Sequence, residues 1–381
     1  MHPDSTGGPV VSVPHVVFPP HSLAHRDLTA AIRAQYSPLL QQLPGNADYQ
    51  FGFAHPARVA LKMCGVLAIE EHPMHLPLPE ITRRRGRATR NRQARQAWDA
   101  YAPLAAKQAM ATAHIGPDDI GAVVTACSTI TAMPSLARSL LTSAGLSRHA
   151  ETITLAGEGC NGGAAALLRA RDLVLAHGRP VLIVAGDYCS PWFFPEPDLR
   201  GDRLRGSIVS SALFADATAA AVMTPGPGPG AGFRIVDARS VCLPDTDSAL
   251  GWDDRHHFFL TDAPKLVPAV LPAITSLLQD LGWDAASLDV CTLHSGGNAI
   301  IRAIARGLGL TDHQVAPAWQ SLRRGNLMAA AVLHAMAIAA ADPVLRPAPG
   351  GRGLLAGFGP GFAMSAAAWQ FVDPSTASAG R

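Results

Sequence analysis

Blocks of apolar and polar positions alternate along the chain in two rhythms, one of period about 3.6 and one of short unbroken apolar runs. Helical spacing covers Leu28–Leu43 and recurs around Val59–Ile69, after which Pro73, Pro77 and Pro79 interrupt it. Short apolar runs predict buried strands at Ile120–Ala126, Thr152–Leu155 and Val181–Ala185. Helices are predicted between them at Ser135–Ala144, after Pro134, and at Gly162–Ala176. Ala212–Met223 reads as a turn running into an apolar strand, and residues 1–20, rich in Pro, Gly and Ser, as a loose arm.

The stretch 224–232, TPGPGPGAG, reads as a linker, and beyond it the rhythm begins again. Strands are predicted at Phe233–Ile235, Ser240–Leu243 and Leu288–Leu293, and helices at Val267–Leu281 and Ala299–Leu308. A helix from Asn326 to Ala341 precedes a strand at Leu354–Leu355, the turn Gly357–Gly361 and a last strand, Phe362–Trp369. Strand–helix alternation predicts an α/β protein with parallel sheets covered on both faces. Its repetition predicts a duplicated architecture, with residues 1–223 as one half, 224–232 as the connection and 233–381 as the other.

Composition narrows the class. A chain of 381 residues that is 48% hydrophobic and 16% charged can bury a large core. Its net charge of +2 implies no broad field for nucleic acid or a membrane surface. No apolar run reaches the roughly 20 residues of a membrane span, and Met1–Pro20 lacks a secretory pattern. The six cysteines lie apart without CxxC pairs, which argues against a zinc site or disulfide framework and suits a reducing cytoplasm.

One basic run, Arg83–Arg95, reads either as a solvated loop and the polar face of a following helix to His114 or as an anion-binding rim for a phosphate-bearing carrier or coenzyme.

Three residues carry candidate chemistry. Cys160 stands in a glycine-punctuated turn between a strand and a helix, where unpaired N–H groups and the helix dipole favour a thiolate nucleophile. A buried structural cysteine would suit the same close-packed turn. His294 ends a strand, and Asn326 opens an apolar helix. In open α/β sheets, ligands gather beyond the carboxyl ends of strands. There an imidazole could take a thiol proton, and imidazole and amide N–H groups could donate to a developing oxyanion. Asn326 reads equally as an N-cap, and a strand-end histidine as a structural one.

Gly159-Cys160-Asn-Gly-Gly163, Leu213-Phe214-Ala-Asp216, Leu293-His294-Ser-Gly-Gly297, Gly325-Asn326 and Gly357-Phe-Gly-Pro-Gly361 occur in this order. The set resembles the signature of type III polyketide synthases, the chalcone-synthase-like enzymes, from about Leu28 to Trp369. The run His257-Phe-Phe-Leu260 and the cysteine and histidine motifs are most similar to a bacterial subgroup typified by dihydroxyphenylacetyl-CoA synthase. The resemblance implies a thiolase fold, a duplicated five-layer αβαβα homodimer.

It also implies that Cys160 accepts the acyl group, while His294 and Asn326 drive malonyl decarboxylation. Phe214 matches a gate between coenzyme tunnel and cavity, and Met133 a segment closing the partner's cavity. Ser128, Cys189, Trp192 and Met328 match pocket positions, His256 or His257 stands where a second gate phenylalanine is usual, and Gly357, Phe358, Gly359 and Pro360 match the adjoining loop.

Malonyl-CoA and acyl thioesters are implied as substrates, with no metal and no redox cofactor. Two departures stand out. Ala68-Ile-Glu70-Glu71 replaces the coenzyme-binding cations, and Trp192 and Met328 replace smaller cavity residues, which predicts a small cavity. The first departure leaves room for a ketosynthase fed by an acyl carrier protein. A non-catalytic partner subunit is disfavoured because all three candidate residues are present.

Overall fold

The computed structural model describes residues 7–42, 56–83, 85–192, 201–252, 258–260 and 263–374. The chain opens with β1 (Val10–Ser12), β2 (His15–Val17), β3 (His21–Ala24) and α1 (His25–Gln42). Next come α2 (Pro56–Cys64), β4 (Glu71–Met74), α3 (Leu78–Ile81) and the long α4 (Arg87–Ala113). The first half continues with β5 (Ala122–Ala126), α5 (Leu136–Ser143), β6 (Glu151–Leu155) and α6 (Gly162–His177). It closes with β7 (Val181–Asp187), α7 (Gly201–Leu213) and β8 (Ala217–Thr224).

The second half holds β9 (Gly232–Cys242), β10 (Leu250–Trp252), β11 (Phe258–Leu260), α8 (Ala263–Asp280) and β12 (Val290–Leu293). The elements α9 (Asn298–Leu308), α10 (Ala316–Leu322), α11 (Ala331–Ala341), β13 (Arg352–Gly359) and β14 (Ala363–Val372) complete it.

The strands of both halves join one sheet in the order β12-β13-β14-β9-β1-β8-β7-β5-β6, with β2 beside β8. Its outer pairs are parallel, β5 with β6 and β7 at one end and β12 with β13 at the other. The inner pairs are antiparallel, which departs from the all-parallel expectation. The reason is visible at β13–β14, where a three-residue turn, Pro360–Phe362, is too short for a parallel crossover.

Five layers result. Helix α4 covers one face of β7 and β8, and α6 packs on the other face. Helix α6 also reaches β13 and β14, while α11 lies on β12 and α8 packs with α9 outside β9 and β14. The two central helices therefore sit between sheet halves, and each leads into an antiparallel strand pair: α6 into β7–β8, α11 into β13–β14. That repetition is the duplication the pattern predicts. Leu167, Val332, Leu333 and Met336 are buried in the shared core between the halves.

Several expectations need correction. The N-terminal segment is not a loose arm from residue 7 on. Val10 and Val11 are buried, and β1 pairs with both β8 and β9, bridging the halves. Residues 225–231 connect β8 to β9 across β1 within the one sheet. The helix expected over Val59–Ile69 stops at Cys64, one residue before Gly65. Helix α7 was not expected at all, because its Gly, Asp, Arg and Ser residues hide its apolar positions. The basic run, by contrast, enters the helix expected to His114, which spans Arg87–Ala113 and is capped by His114.

Candidate active site

Cys160 lies where β6 turns toward α6. A tight turn, Gly159–Asn161, carries it, and the Gly159 N–H donates to Ser128 Oγ at 2.7 Å. Gly163 lets this turn meet the other central helix, because a Cβ there would lie 2.1 Å from the Ala329 carbonyl oxygen. The close approach brings Asn326 Nδ2 within 3.7 Å of Cys160 Sγ.

Asn326 is not the N-cap its sequence position suggested. It pairs with Phe214 in an isolated parallel bridge, its N–H donating to Leu213 O at 2.8 Å and its carbonyl accepting from Ala215 N at 3.0 Å. Gly325, at φ +81°, turns the backbone into this bridge against His72 and Ala215. A further turn, Met328–Ala330, separates it from α11. Asn326 Oδ1 accepts the Met328 N–H at 2.9 Å and lies 3.9 Å from Cys160 Sγ, so the sulfur meets the amide side-on with the N–H₂ group slightly nearer.

His294 follows β12 and is 3% exposed. Its N–H donates to Ala356 O of β13, the strand that carries Gly357 and Gly359 against Asn161. The histidine and cysteine turns thus sit on adjoining parts of one ridge. His294 Nδ1 has no partner, and no hydrogen bond joins His294 to Cys160 among the described residues.

The electrostatics differ from the expectation of a resting thiolate. Burial pushes the Cys160 thiol up to about 12, against the opposing effect of the Asn326 hydrogen bond, with Asp187 adding to the rise. Burial pushes His294 down to about 3. Desolvation outweighs the helix N-terminus here, so both groups rest neutral.

Of the pocket residues, Phe214, Cys189, Trp192 and Met328 share one buried cluster with Cys160. Cys189 Sγ lies 3.2 Å from Met328 Sδ. Ser128, Met328, Leu250 and Pro360 line, with Cys160, a cavity of about 360 Å³. Pro360 also packs on Gly159, while Phe358 is buried in the core of the second half and sits away from this cluster. Met133 is 98% exposed at the surface of the chain. His257 lies outside the described residues.

Sequence reasoning passed over Asp187. It ends β7 and is buried. One carboxylate oxygen accepts from Ser128 N, Thr129 N and Thr129 Oγ1, and the other from Ala329 N. It ties the Ser128 loop to the turn after Asn326. A charged residue closing an apolar strand, VLIVAGD, was the available signal.

The basic run is largely engaged within the chain. Arg83 and Arg85 pair with Glu80, and Arg95 pairs with Asp99. Glu70 and Glu71 are held by Arg323 and Arg324.

A layered frame entered twice past a central helix, with a cysteine at one entrance and an asparagine at the other, is that of a thiolase-fold condensing acyltransferase. Comparison with known proteins narrows the class. Residues 74–228 match the model for FAE1/type III polyketide synthase-like proteins. Residues 278–371 match that for the C-terminal part of 3-oxoacyl-[acyl-carrier-protein] synthase III.

The chain is 31% identical to 1,3,6,8-tetrahydroxynaphthalene synthase of Streptomyces coelicolor over 83% of its length and 84% of that protein's. It is 28% identical to phloroglucinol synthase of Pseudomonas fluorescens, covering 94% and 98%. A 3,5-dihydroxyphenylacetyl-CoA synthase of Amycolatopsis orientalis matches at 28% over 62% of the chain and 65% of its own length. The crystal structure of the S. coelicolor tetrahydroxynaphthalene synthase superposes with a TM-score of 0.84 at 26% identity, covering 95% of this chain and 99% of that one. The chain belongs to the type III polyketide synthases. Among the described residues, no helix is long and apolar enough to cross a membrane.

Proposed function

We propose that the chain condenses malonyl-CoA onto an acyl group held on Cys160 and that His294 and Asn326 serve the decarboxylation. The Cys160 thiol, losing its proton to His294, attacks a starter thioester; an acyl–sulfur bond forms and the coenzyme thiol leaves. Malonyl thioester then loses carbon dioxide, and its carbonyl oxygen becomes an enolate that amide and imidazole N–H groups can stabilise. The enolate carbon attacks the acyl-Cys160 carbonyl and releases the thiolate. Reloading of the lengthened chain continues the cycle until it cyclises. Thioester chemistry supplies leaving group and enolate alike, so the scheme uses no metal or redox cofactor.

The observation that carries this reading is the Asn326 amide, oriented by Met328 so that a donor lies beside the Cys160 sulfur. Tetrahydroxynaphthalene, phloroglucinol and dihydroxyphenylacetyl, the products named for the relatives, are polyhydroxylated aromatic rings, and we place this chain's product in that class. We further propose a cytoplasmic homodimer. Met133, in the segment that the resemblance places across a partner's cavity, is 98% exposed and so free to reach a second copy.

Incubating the pure chain with radiolabelled malonyl-CoA tests the scheme. Label in an aromatic product is expected. Product only from a carrier-bound donor would move the reading to a carrier-fed ketosynthase, and none from any donor would end it.

A further inference from the structure

Outside the reacting groups, two histidines make a contact whose protons can be counted. His25, at the start of α1, and His72, on β4, approach each other with Nδ1 of the first 2.9 Å from Nε2 of the second. Their ring centroids are 5.2 Å apart. The N···N contact plus the two ring radii accounts for that separation, so the rings meet edge to edge. Each outer nitrogen faces a backbone carbonyl: His72 Nδ1 lies 3.1 Å from Phe214 O, and His25 Nε2 lies 2.8 Å from Cys64 O.

A carbonyl oxygen only accepts. Both outer nitrogens must therefore carry protons, and the central N···N bond needs a third. Two neutral imidazoles hold two protons between them.

We propose that His25 and His72 share a third proton as an imidazole–imidazolium pair, and that His72 is a positioning residue that holds the Phe214–Asn326 bridge in register. His72 is fully buried and His25 only partly so, and the extra proton therefore rests on His25, the ring nearer water. His72 is then the neutral ring protonated at Nδ1, and His25 donates at both nitrogens.

Among the described residues, the charged and titratable groups around the pair are engaged elsewhere. On α1, Arg26 and Asp27 pair with each other, and Arg33 donates to Leu61 O. Cys64 on α2 is a thiol that burial pushes up to about 12. At the mouth of β4, Glu70 and Glu71 are taken by Arg323 and Arg324. Asp216, just past Phe214, accepts from His75, Cys189 and Ser190.

The link to the site is short. Phe214, whose carbonyl His72 holds, is the bridge partner of Asn326. The chain ahead of β4 is pinned to the same segment, because Glu70 N and Glu71 N both donate to Arg323 O. A shift of His72 therefore moves both sides of the Gly325 turn.

The proton count is tested on the whole chain by nitrogen-15 NMR with labelled histidine, using His25→Phe and His72→Phe to assign the rings. At pH 7, where a free imidazole is mostly neutral, His25 is expected to carry protons on both nitrogens and His72 on Nδ1 alone. A nitrogen–nitrogen coupling between them is expected as well. Two singly protonated rings at that pH overturn the shared proton.

The positioning role rests on the function proposed for Asn326 and is tested by kinetics, so the two can fail separately. His72→Phe should lower kcat roughly 10- to 10²-fold with KM unchanged, the loss typical of a group misplaced by a fraction of an ångström. His72→Asn puts an amide N–H where Nδ1–H stood and should return most of it. Unchanged kcat in the first variant, or an equal loss in both, overturns the role. If the phenylalanine variant fails to fold, wild-type kcat in the asparagine variant still supports it, and a tenfold loss there overturns it.

Discussion

Asn326 Nδ2 stands 3.7 Å from Cys160 Sγ across 166 positions of sequence, and the same amide's oxygen is held by Met328 N. The amide cannot flip without losing that bond, so its donor is committed to the space beside the sulfur. Loss of one such donor slows an oxyanion-forming step by roughly 10²–10³-fold. Asn326→Ala should still form acyl-Cys160 but release carbon dioxide from malonyl-CoA at that reduced rate. Wild-type decarboxylation in the variant would remove Asn326 from the mechanism.

Cys160 and His294 are each disfavoured as lone ions, one pushed up to about 12 and the other down to about 3. A thiolate near neutral pH then depends on the imidazolium that forms with it. Iodoacetamide alkylation of Cys160, followed by peptide mass spectrometry, reads this directly. His294→Gln should slow alkylation at pH 7 by at least about tenfold and make its rate climb through alkaline pH as for an isolated buried thiol. An unchanged rate would show that the thiolate forms without His294. In either background, an acyl adduct on a cysteine other than 160 would reassign the nucleophile.

Much of the site was legible because its signals are local. Four glycines at 157, 159, 162 and 163 around one cysteine announce a turn whichever fold holds them. The strand before His294 announces itself by the largely apolar run Leu288–Leu293. Asn326 was ambiguous for a physical reason: an Asn after Gly and before an apolar run looks the same capping a helix or bridging to Phe214. What decides is a strand partner more than a hundred residues away. The strand β1 was hidden likewise, since four residues between Gly-Pro and Pro carry no periodicity, and only its burial between β8 and β9 makes it central. Asp187 and His72 leave still less trace, because each works through backbone groups that any sequence supplies.

Gly163 is where packing sets the site's geometry. A Cβ there would lie 2.1 Å from Ala329 O and 2.9 Å from Val332 Cγ2, and the backbone oxygen cannot swing aside as a side chain can. Overpacking of this kind destabilises by typically about 1–3 kcal/mol. Gly163→Ala should lower Tm and also kcat, because relief requires the Cys160 turn to move from Asn326. Alanine at Gly178, a helix end with open space around it, provides the contrast: its φ of +64° brings a stability loss without the loss of kcat.

Asp187 makes stability depend on pH with a definite sign. Burial raises its carboxyl from 3.8 to about 6 in spite of four donors. A folded value above the unfolded one means that folding favours the protonated acid. Its contribution is full below about 4 and is lost as pH rises through about 6, amounting to about 3 kcal/mol at roughly 1.4 kcal/mol per unit. Urea unfolding of wild type, relative to Asp187→Asn, should therefore weaken between pH 4 and pH 7. A constant difference between the two would show that Asp187 ionises freely. Asp187→Asn should also lose kcat, because its amide N–H₂ cannot accept from Ala329 N.

Met328 joins backbone strain to cavity size. It adopts φ +47°, which L residues with side chains rarely take, at the turn that follows Asn326. Its side chain reaches Cys189 and lines the cavity at Cys160. Holding a non-glycine residue there costs about 1–3 kcal/mol. Truncating a buried Met to Ala typically costs about 2–5 kcal/mol in lost packing and keeps that strain. Glycine loses the same packing but releases the strain, so the usual order reverses. Met328→Gly should be more stable than Met328→Ala, by Tm, although glycine normally destabilises relative to alanine. The vacated volume adjoins Cys160, so Met328→Gly with radiolabelled malonyl-CoA should also yield products carrying more malonyl units than wild type. An alanine variant more stable than the glycine one would mean that the left-handed turn relaxes freely. Unchanged chain length would mean that the growing polyketide occupies space on another side of the cysteine.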